Sequence, residues 1–301
     1  MLVVDDLRKT FRAIKREVKA LDGVRFSVRS GEIVALLGAN GAGKTTTMRM
    51  IVGLMLPDSG SVRLEGFAPG SLGYNQRLGA LLDTARSSAA RFSVLENLEY
   101  TAALRGIAPK EAKIRALRLC EELLLEDKKD APAQTLSKGM LSKLALANAI
   151  IHDPSYMLLD EPTLGLDLEA ADALEARILT MAKSGKAVLL STHQMEVAQR
   201  LADRVVILVK GQVLLDQPKT ALLSQFGAQT YRITLAEIPS NLQLGFVHTL
   251  EDTVLTVTLP ETADLYALLD CLKPRAIVNI EKLEADLGDI FRRVMHNEVN
   301  A

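Results

Sequence analysis

A glycine-rich run that ends in lysine and threonine stands near residue 40 of the 301-residue sequence. Residues Gly38–Thr45, GANGAGKT, fit the pattern G-x-x-x-x-G-K-[ST]. Glycines allow backbone N–H groups to curl around a phosphate chain, and a helix that begins near Lys44 adds the positive end of its dipole. Lys44 could then bridge β- and γ-phosphates, and the Thr45 hydroxyl could bind Mg²⁺. The residues predicted to surround the phosphates are Gly38, Asn40, Gly41, Gly43, Lys44, Thr45 and Thr46.

Two adjacent carboxylates, Asp160 and Glu161, follow the four apolar residues Tyr156–Leu159. An apolar run of this length indicates a buried strand, and ligands of open α/β sheets bind beyond the carboxyl ends of such strands. Asp160 could hold Mg²⁺, and Glu161 could polarise an attacking water as general base. The alternative is that the strand simply ends in a solvated acidic pair. The phosphate loop upstream in the sequence disfavours this interpretation.

A histidine, His193, ends the next apolar run. A neutral imidazole at this position could donate a hydrogen bond to the γ-phosphate or orient the water. A lone histidine at a strand end is more often structural. Its place after the strand that carries Asp160 and Glu161 favours the functional interpretation.

The elements that must position these side chains alternate between strand-like and helix-like patterns over the first two thirds of the sequence. This alternation predicts an α/β fold with a largely parallel sheet. The predicted buried strands are Glu32–Leu37, Tyr156–Asp160, Ala187–Thr192 and Arg204–Val209. The predicted helices are Pro109–Lys129, Leu141–Ile151 and Asp167–Ala182.

The pattern changes near residue 226, where a domain boundary is predicted. Strand alternation follows, at Tyr231 to Leu235 and Val254 to Leu259, and then two helices over about Thr262–Leu272 and Glu284–His296. We therefore expect a first domain over residues 1–226 and a small α+β domain over residues 227–301.

Composition excludes several classes of protein. With 36 Lys and Arg against 37 Asp and Glu, the formal net charge is −1, which argues against a nucleic-acid-binding protein. Two cysteines are too few for a disulfide scaffold and indicate a reducing compartment. The apolar runs are too short for a spanning helix, and the first residues do not resemble a signal peptide. These observations predict a cytoplasmic location.

Three further motifs follow the phosphate loop along the chain. Residues Leu136–Met140 read LSKGM, Thr163–Asp167 read TLGLD, and Ser191–His193 read STH. Together with the phosphate loop, in this order, they resemble the ATPase subunit of an ABC transporter over about residues 1 to 220. The resemblance implies a P-loop nucleotide-binding domain with a helical subdomain at about 84–150, ATP and Mg²⁺ as cofactors, and ATP hydrolysis coupled to transport.

The resemblance also implies roles for residues outside the phosphate loop. Ser137 and Gly139 would bind the γ-phosphate of an ATP held by the opposite subunit. A serine hydroxyl and unobstructed backbone N–H groups at the start of a helix are suited to bind an anion. Asp167 would contact that subunit. Phe11 would stack on adenine, although it could equally be a core residue.

The sequence departs from the family pattern at three positions. Lys138 replaces a small residue and Met140 replaces a glutamine, in forms similar to the NatA- and DrrA-like exporter ATPases. Asp83 stands where the family has a Mg²⁺-contacting glutamine, although the segment from Ser87 to Arg91 could shift this register. A carboxylate there can still bind Mg²⁺.

The C-terminal segment Leu283–Phe291 resembles, loosely, an extension of drug-exporter ATPases. Its apolar residues Leu287, Ile290 and Phe291, with Val294 beyond them, also fit the core face of a helix, which we favour. We expect this domain to regulate or brace a dimer.

The leading hypothesis is therefore an ATP-driven motor for an exporter whose integral-membrane permease is a separate chain. Two chains, identical or related, would sandwich two ATP at the inner face of the cell membrane, without a nucleic-acid partner. An ABC ATPase acting on ribosomes or DNA is an alternative, but it would usually carry two ATPase domains or long coiled coils. A GTPase or small-molecule kinase is a third, and the sequence lacks an Asn-Lys-x-Asp motif. The exported substance stays open.

Overall fold

The computed structural model describes residues 1–13, 16–82, 88–164, 166, 168–226, 229–237, 244–259, 265–283 and 286–299. The chain divides into two compact units, Met1–Gln217 and Pro218–Ala301. The division therefore falls before the position near residue 226 that the sequence pattern indicates.

An antiparallel sheet of three strands opens the first unit. It consists of β1 (Leu2–Ala13), β2 (Arg16–Val28) and β4 (Ser59–Leu64), in the order β2-β1-β4. Its inward side chains, among them Leu7, Leu21 and Leu64, join the core cluster of the central sheet. None of these strands is among those predicted from the sequence, because their polar and charged outward residues interrupt the apolar pattern.

The central sheet has six strands in the order β5-β6-β7-β3-β8-β9. The strands are β3 (Ile33–Leu37), β5 (Leu78–Leu81), β6 (Tyr156–Asp160), β7 (Ala187–Thr192), β8 (Arg204–Val209) and β9 (Gln212–Pro218). The pairs from β5 to β8 are parallel, as predicted. Every residue of β3 and β7 is buried, which explains why β3 and the first four residues of β7 are continuously apolar.

Eight helices belong to the described segments up to residue 226. They are α1 (Lys44–Ile51), α2 (Leu72–Arg77), α3 (Val94–Leu104), α4 (Pro109–Glu122), α5 (Lys138–Ile150), α6 (Leu168–Lys183), α7 (Met195–Leu201) and α8 (Lys219–Phe226). Helix α4 is shorter than the predicted helix over 109–129, because Leu124 adopts a left-handed φ of 56° and a 3-10 turn follows at Glu126–Lys128. Helix α5 begins three residues before Leu141, because the Ser137 side chain accepts a hydrogen bond from the N–H of Met140 and caps it.

The second unit is built on an antiparallel sheet in the order β11-β12-β10-β13. Its strands are β10 (Gln229–Leu235), β11 (Val247–Glu251), β12 (Val254–Leu259) and β13 (Ile277–Leu283). Helix α9 (Leu265–Leu272) buries Leu268 and Leu272 against the sheet. Helix α10 (Leu287–Val299) contacts α8, which is why α8 belongs to this unit rather than the first.

Within the residue ranges given above, no helix combines the length and the apolar character needed to cross a bilayer.

Candidate functional site

The phosphate loop connects β3 to α1, as the sequence predicts. Gly43 caps α1 with a φ of 109°, a conformation that strongly favours glycine. A Cβ on Gly43 would lie 2.7 Å from Leu21 Cδ2 and 2.8 Å from the Ala20 carbonyl oxygen. The glycine therefore allows the loop to pack directly on β2.

Lys44 is buried at the start of α1, with 7% of its surface exposed. Its Nζ donates hydrogen bonds to the carbonyl oxygens of Gly38, at 2.7 Å, and Ala39, at 3.3 Å. Burial lowers the pKa of Lys44, while the nearby charges of Glu161 and Asp160 raise it. The ammonium group therefore lies against the backbone carbonyl groups of its own loop.

Asp160 lies at the carboxyl end of β6, opposite Ser191 of β7 in the sheet register. The Ser191 hydroxyl donates a hydrogen bond to Asp160 Oδ1. Burial raises the pKa of Asp160, and hydrogen bonds from Ser191 and Thr45 lower it. The structure thus brings together the Thr45 hydroxyl and the Asp160 carboxylate, the two groups for which the sequence predicts a shared Mg²⁺.

Glu161 leaves β6 with a φ of 49°, an uncommon left-handed conformation for a residue other than glycine. Its N–H donates to the Ser191 carbonyl oxygen at 2.9 Å, which fixes the turn. Its Oε1 accepts a hydrogen bond from His193 Nδ1 at 2.8 Å, and its Oε2 accepts one from Thr192 Oγ1 at 3.2 Å. Both carboxylate oxygens are therefore held by residues at the end of β7.

A hydrogen-bond chain that the sequence analysis missed continues behind Glu161. Thr192 is fully buried, and its Oγ1 also accepts from the N–H of Gln194 at 3.0 Å. The Gln194 side-chain oxygen in turn accepts from Thr163 Oγ1 at 3.0 Å. The sequence feature that could have indicated this hydrogen-bond chain is the pair Ser191 and Thr192, two polar residues that end an otherwise apolar strand.

The predicted signature loop lies at the beginning of α5. Ser137 is exposed, and its Oγ accepts a hydrogen bond from the Met140 N–H at 3.3 Å. Among the described residues, apart from its chain neighbours and the backbone of its own helix, none has an atom within 4 Å of a Cβ added to Gly139. No hydrogen bond joins Ser137 or Gly139 to the phosphate loop in the described part of the chain. The structure thus leaves this loop separate from its own chain's phosphate loop.

Phe11 lies on β1 opposite Val18 of β2, and 42% of its surface is exposed. It is therefore not a core residue of this chain, and its ring is available for stacking. Asp83 and Asp167, the other two predicted site residues, lie outside the described residues.

Comparison with known proteins agrees with this geometry. Residues 21–164 match the family model described as ABC transporter. Nod factor export ATP-binding protein I of Ralstonia nicotianae is 35% identical over 242 residues, which cover 80% of this chain and 74% of that protein. The ABC transporter ATP-binding protein NatA of Bacillus subtilis is 36% identical over 218 residues, or 71% of this chain and 88% of that protein.

Solved structures show the same fold. A structure of an ATP binding subunit of an ABC transporter superposes with a TM-score of 0.66 at 32% identity, over 75% of this chain and 93% of that chain. A dimeric ATP-binding cassette bound to ADP and Pi has the same TM-score of 0.66 at 24% identity, over 72% of this chain and 98% of that one, and supports the fold alone. The sequence order of the motifs, the geometry and the relatives agree: this chain belongs to the ABC transporter family, as an ATP-binding subunit with ATPase activity.

Proposed function

We propose that this chain hydrolyses ATP at composite sites shared by two subunits, and that it drives a separate membrane permease of an exporter. The observation that carries the proposal is the Glu161 carboxylate, held on both oxygens at the carboxyl end of β6 beside the buried Lys44. A carboxylate fixed next to a phosphate-binding lysine is suited to remove a proton from an attacking water.

The chain's own residues divide the chemistry between them. Lys44 would exchange its bonds to the loop carbonyls for bonds to β- and γ-phosphate oxygens, with the loop N–H groups and Thr46 around them. Glu161 would accept the proton of the attacking water. His193, which donates to Glu161, would orient the carboxylate and lie near the γ-phosphate. Phe11 would stack on the adenine.

The residues at the end of β6 fit a magnesium ion. Burial raises the pKa of Asp160, and a bound cation would favour its charged form. Among the described residues no group of three or more His, Cys, Asp or Glu could hold a metal alone. Mg²⁺ in nucleotide sites is usually held by one or two carboxylates together with phosphates and waters. Thr45 and Asp160 would hold it here, with Asp83 as a third candidate, and the ion would neutralise charge that develops on the phosphates.

The separation of the two anion-binding loops supports a composite site. Ser137 is exposed and the space beside Gly139 is open, so a phosphate bound to another chain could reach both. Two copies arranged head to tail, or this chain with a related ATPase subunit, would then enclose two ATP molecules. Asp167 would contact the facing subunit, and the second unit would brace or regulate the dimer.

An exposed apolar patch supports a membrane partner. Leu72 of α2 is 71% exposed, and Tyr100 and Leu104 of α3 are 52% and 68% exposed. Arg105, which follows α3, donates to the Asn75 carbonyl oxygen of α2 and holds the two helices side by side. A permease would cover this patch and hold the chain at the inner face of the cell membrane. The names of the relatives favour export.

A mixing experiment with two inactive variants tests the composite site. Ser137→Arg would fill the anion cradle that serves the facing subunit, whereas Lys44→Ala removes the phosphate-binding cation of its own chain. We expect each variant alone to lack ATPase activity, and Ser137→Arg alone to retain the ATP affinity of the wild-type monomer. A mixture should recover part of the activity, because a heterodimer contains one intact composite site.

Ser61→Arg, an exposed serine of β4, is the matched control and should leave activity unchanged. A mixture that stays inactive while both variants bind each other would reject the composite site. Loss of ATP binding by Ser137→Arg alone would place this loop in the pocket of its own chain.

A further inference from the structure

Two adjoining cavities lie between α6 and the helices α4 and α5. Gly139 of the predicted signature loop borders the first of them, and no residue of the phosphate loop is among the described residues that line either. The inner cavity has a volume of about 270 Å³ and the outer one of about 530 Å³. The residues Glu122, Arg177 and Thr180 line both of them. The two cavities therefore meet at these side chains and can hold one extended molecule.

The inner cavity is apolar. Its walls include Leu124, Leu146, Ala173 and Leu174. An engineered apolar cavity of about 150 Å³ holds one benzene molecule, so by proportion a cavity of 270 Å³ holds a chain of about ten carbons. A hydrocarbon chain is the kind of ligand that fits this cavity.

The outer cavity is lined by charged groups of both signs. Its cations are Arg115, Arg118, Arg177 and Lys186, and its carboxylates are Glu111, Glu122 and Asp153. Arg115 pairs with Glu111 at 2.8 Å, and Lys186 pairs with Asp153. Both remaining guanidinium groups, Arg118 and Arg177, share the single carboxylate Glu122, at 2.7 Å and 3.1 Å. The cavity thus carries one cation in excess.

The excess charge lies where the two cavities meet. Arg177 reaches Glu122 through Nη2, while its Nε is buried and has no hydrogen-bond partner in the described residues. The Arg177 side chain as a whole is half-buried and shares its carboxylate partner with Arg118, so its guanidinium group can donate further charge-assisted hydrogen bonds to an anionic oxygen. Because Arg177 lines both the apolar and the charged cavity, the pair suits a ligand with a charged head and an apolar tail.

We propose that these cavities form a binding site for an amphiphilic anion, a single hydrocarbon chain of about ten carbons that ends in a carboxylate or phosphate. The tail occupies the space beside Ala173 and Leu174, and the head group contacts Arg177 and Arg118. This site is separate from the phosphate loop, and its occupation does not require the proposed transport function.

Calorimetric titration of the full-length chain with decanoate, below its micelle concentration, tests the site. We expect saturable binding of one decanoate per chain, and weaker binding of decanol, which has the same tail without the charge. Arg177→Gln should weaken decanoate binding by about tenfold or more, because a charge-assisted hydrogen bond is lost. Ala173→Phe, at an exposed helix position that lines the inner cavity, should block the tail and abolish binding.

Arg63→Gln, at an exposed residue of β4, is the matched control and should bind decanoate like the wild type. Unchanged affinity for a non-hydrolysable ATP analogue in each variant shows that the fold is intact. Decyl phosphate, which has a tail of matching length, should also bind saturably and should bind less tightly to Arg177→Gln. Equal binding of decanol and decanoate, wild-type affinity in Ala173→Phe, competition by the ATP analogue, or no saturable binding would each overturn the proposal.

Discussion

The Nδ1 atom of His193 lies 2.8 Å from Oε1 of Glu161, although the two residues are 32 positions apart in the chain. Their strands, β6 and β7, are parallel neighbours whose register sets Asp160 opposite Ser191, so the residues that follow each strand meet beyond the same sheet edge. An ionised carboxylate can only accept hydrogen bonds, so the Nδ1 of His193 carries the proton. We propose that the second ring nitrogen faces the γ-phosphate.

The removal of the lysine side chain tests the phosphate loop. Lys44→Ala should weaken the binding of a non-hydrolysable ATP analogue by at least about tenfold, because a buried cation that faces the phosphates is lost. Direct titration measures this, with Lys183→Ala, an exposed lysine of α6, as the control. Wild-type affinity in Lys44→Ala would place the nucleotide elsewhere.

Replacement of the proposed base by its amide separates binding from hydrolysis. Glu161→Gln should retain the affinity for ATP and reduce the hydrolysis rate by about 10²-fold or more, because the amide cannot accept the proton of the water. In the presence of ATP and Mg²⁺ this variant should also accumulate as a dimer, as measured by sedimentation. Glu169→Gln, an exposed residue in the first turn of α6, should hydrolyse ATP normally. Turnover within a few-fold of wild type would reject Glu161 as the base.

The buried threonine behind the carboxylate should affect turnover without affecting affinity. Thr192→Val keeps the shape of the side chain but removes the hydrogen bond to Glu161 Oε2. We expect the ATPase rate to fall by about tenfold, in line with the loss of one hydrogen bond to a charged group, at unchanged ATP affinity. Thr192→Ser should restore most of the rate. An equal loss in both variants would indicate a packing defect instead of a positioning role.

Asp160, the proposed Mg²⁺ ligand, should cost stability when no metal is bound. Burial raises the pKa of Asp160 in the folded chain above its ordinary value, so the folded state is penalised once the group is ionised and gains relative stability as the pH falls. Asp160→Asn should therefore raise the Tm by about 2–4 °C at pH 7 without Mg²⁺ or nucleotide, while hydrolysis is lost.

The gain from Asp160→Asn should shrink as the pH is lowered toward the pKa of the carboxyl. Asp172→Asn, an exposed residue of α6, should leave the Tm unchanged. A lower Tm for Asp160→Asn at pH 7 would show that the carboxylate stabilises the metal-free chain.

A half-buried histidine outside the site should govern acid stability. Burial, with a smaller effect of Arg105, lowers the pKa of His152 to about 4, and its Nε2 lies 3.0 Å from the Leu78 carbonyl oxygen. The unfolded chain therefore takes up a proton below about pH 6.5 while the folded chain does not, so this contribution to stability is lost between about pH 6.5 and 4. Urea unfolding measures the free energy of unfolding at pH 7 and at pH 5. The decrease from pH 7 to pH 5 should be about 2 kcal/mol larger in wild type than in His152→Gln. An equal decrease in the two proteins would reject His152 as the group that governs acid stability.

Local signals were sufficient for the parallel strands and for the phosphate loop. The runs at Tyr156–Asp160, Ala187–Thr192 and Arg204–Val209 were predicted with their observed bounds, because strands buried on both faces are continuously apolar. The three-stranded antiparallel sheet was missed because its strands alternate and carry many charges. The helix α4 was predicted too long because a single left-handed residue, Leu124, ends it without a glycine.

The sequence by itself determined the family, the phosphate loop and the acidic pair that follows β6, because each depends on residue types at fixed short spacings. Only the tertiary structure decided which side chains hold Glu161. Thr192 and His193 reach its carboxylate because β6 and β7 are neighbours in a particular register, and a strand's neighbour is set by packing of the whole sheet. The charged junction at Arg177 likewise requires α4 and α6 to meet across 55 positions of sequence, from Glu122 to Arg177, and no local pattern encodes that contact.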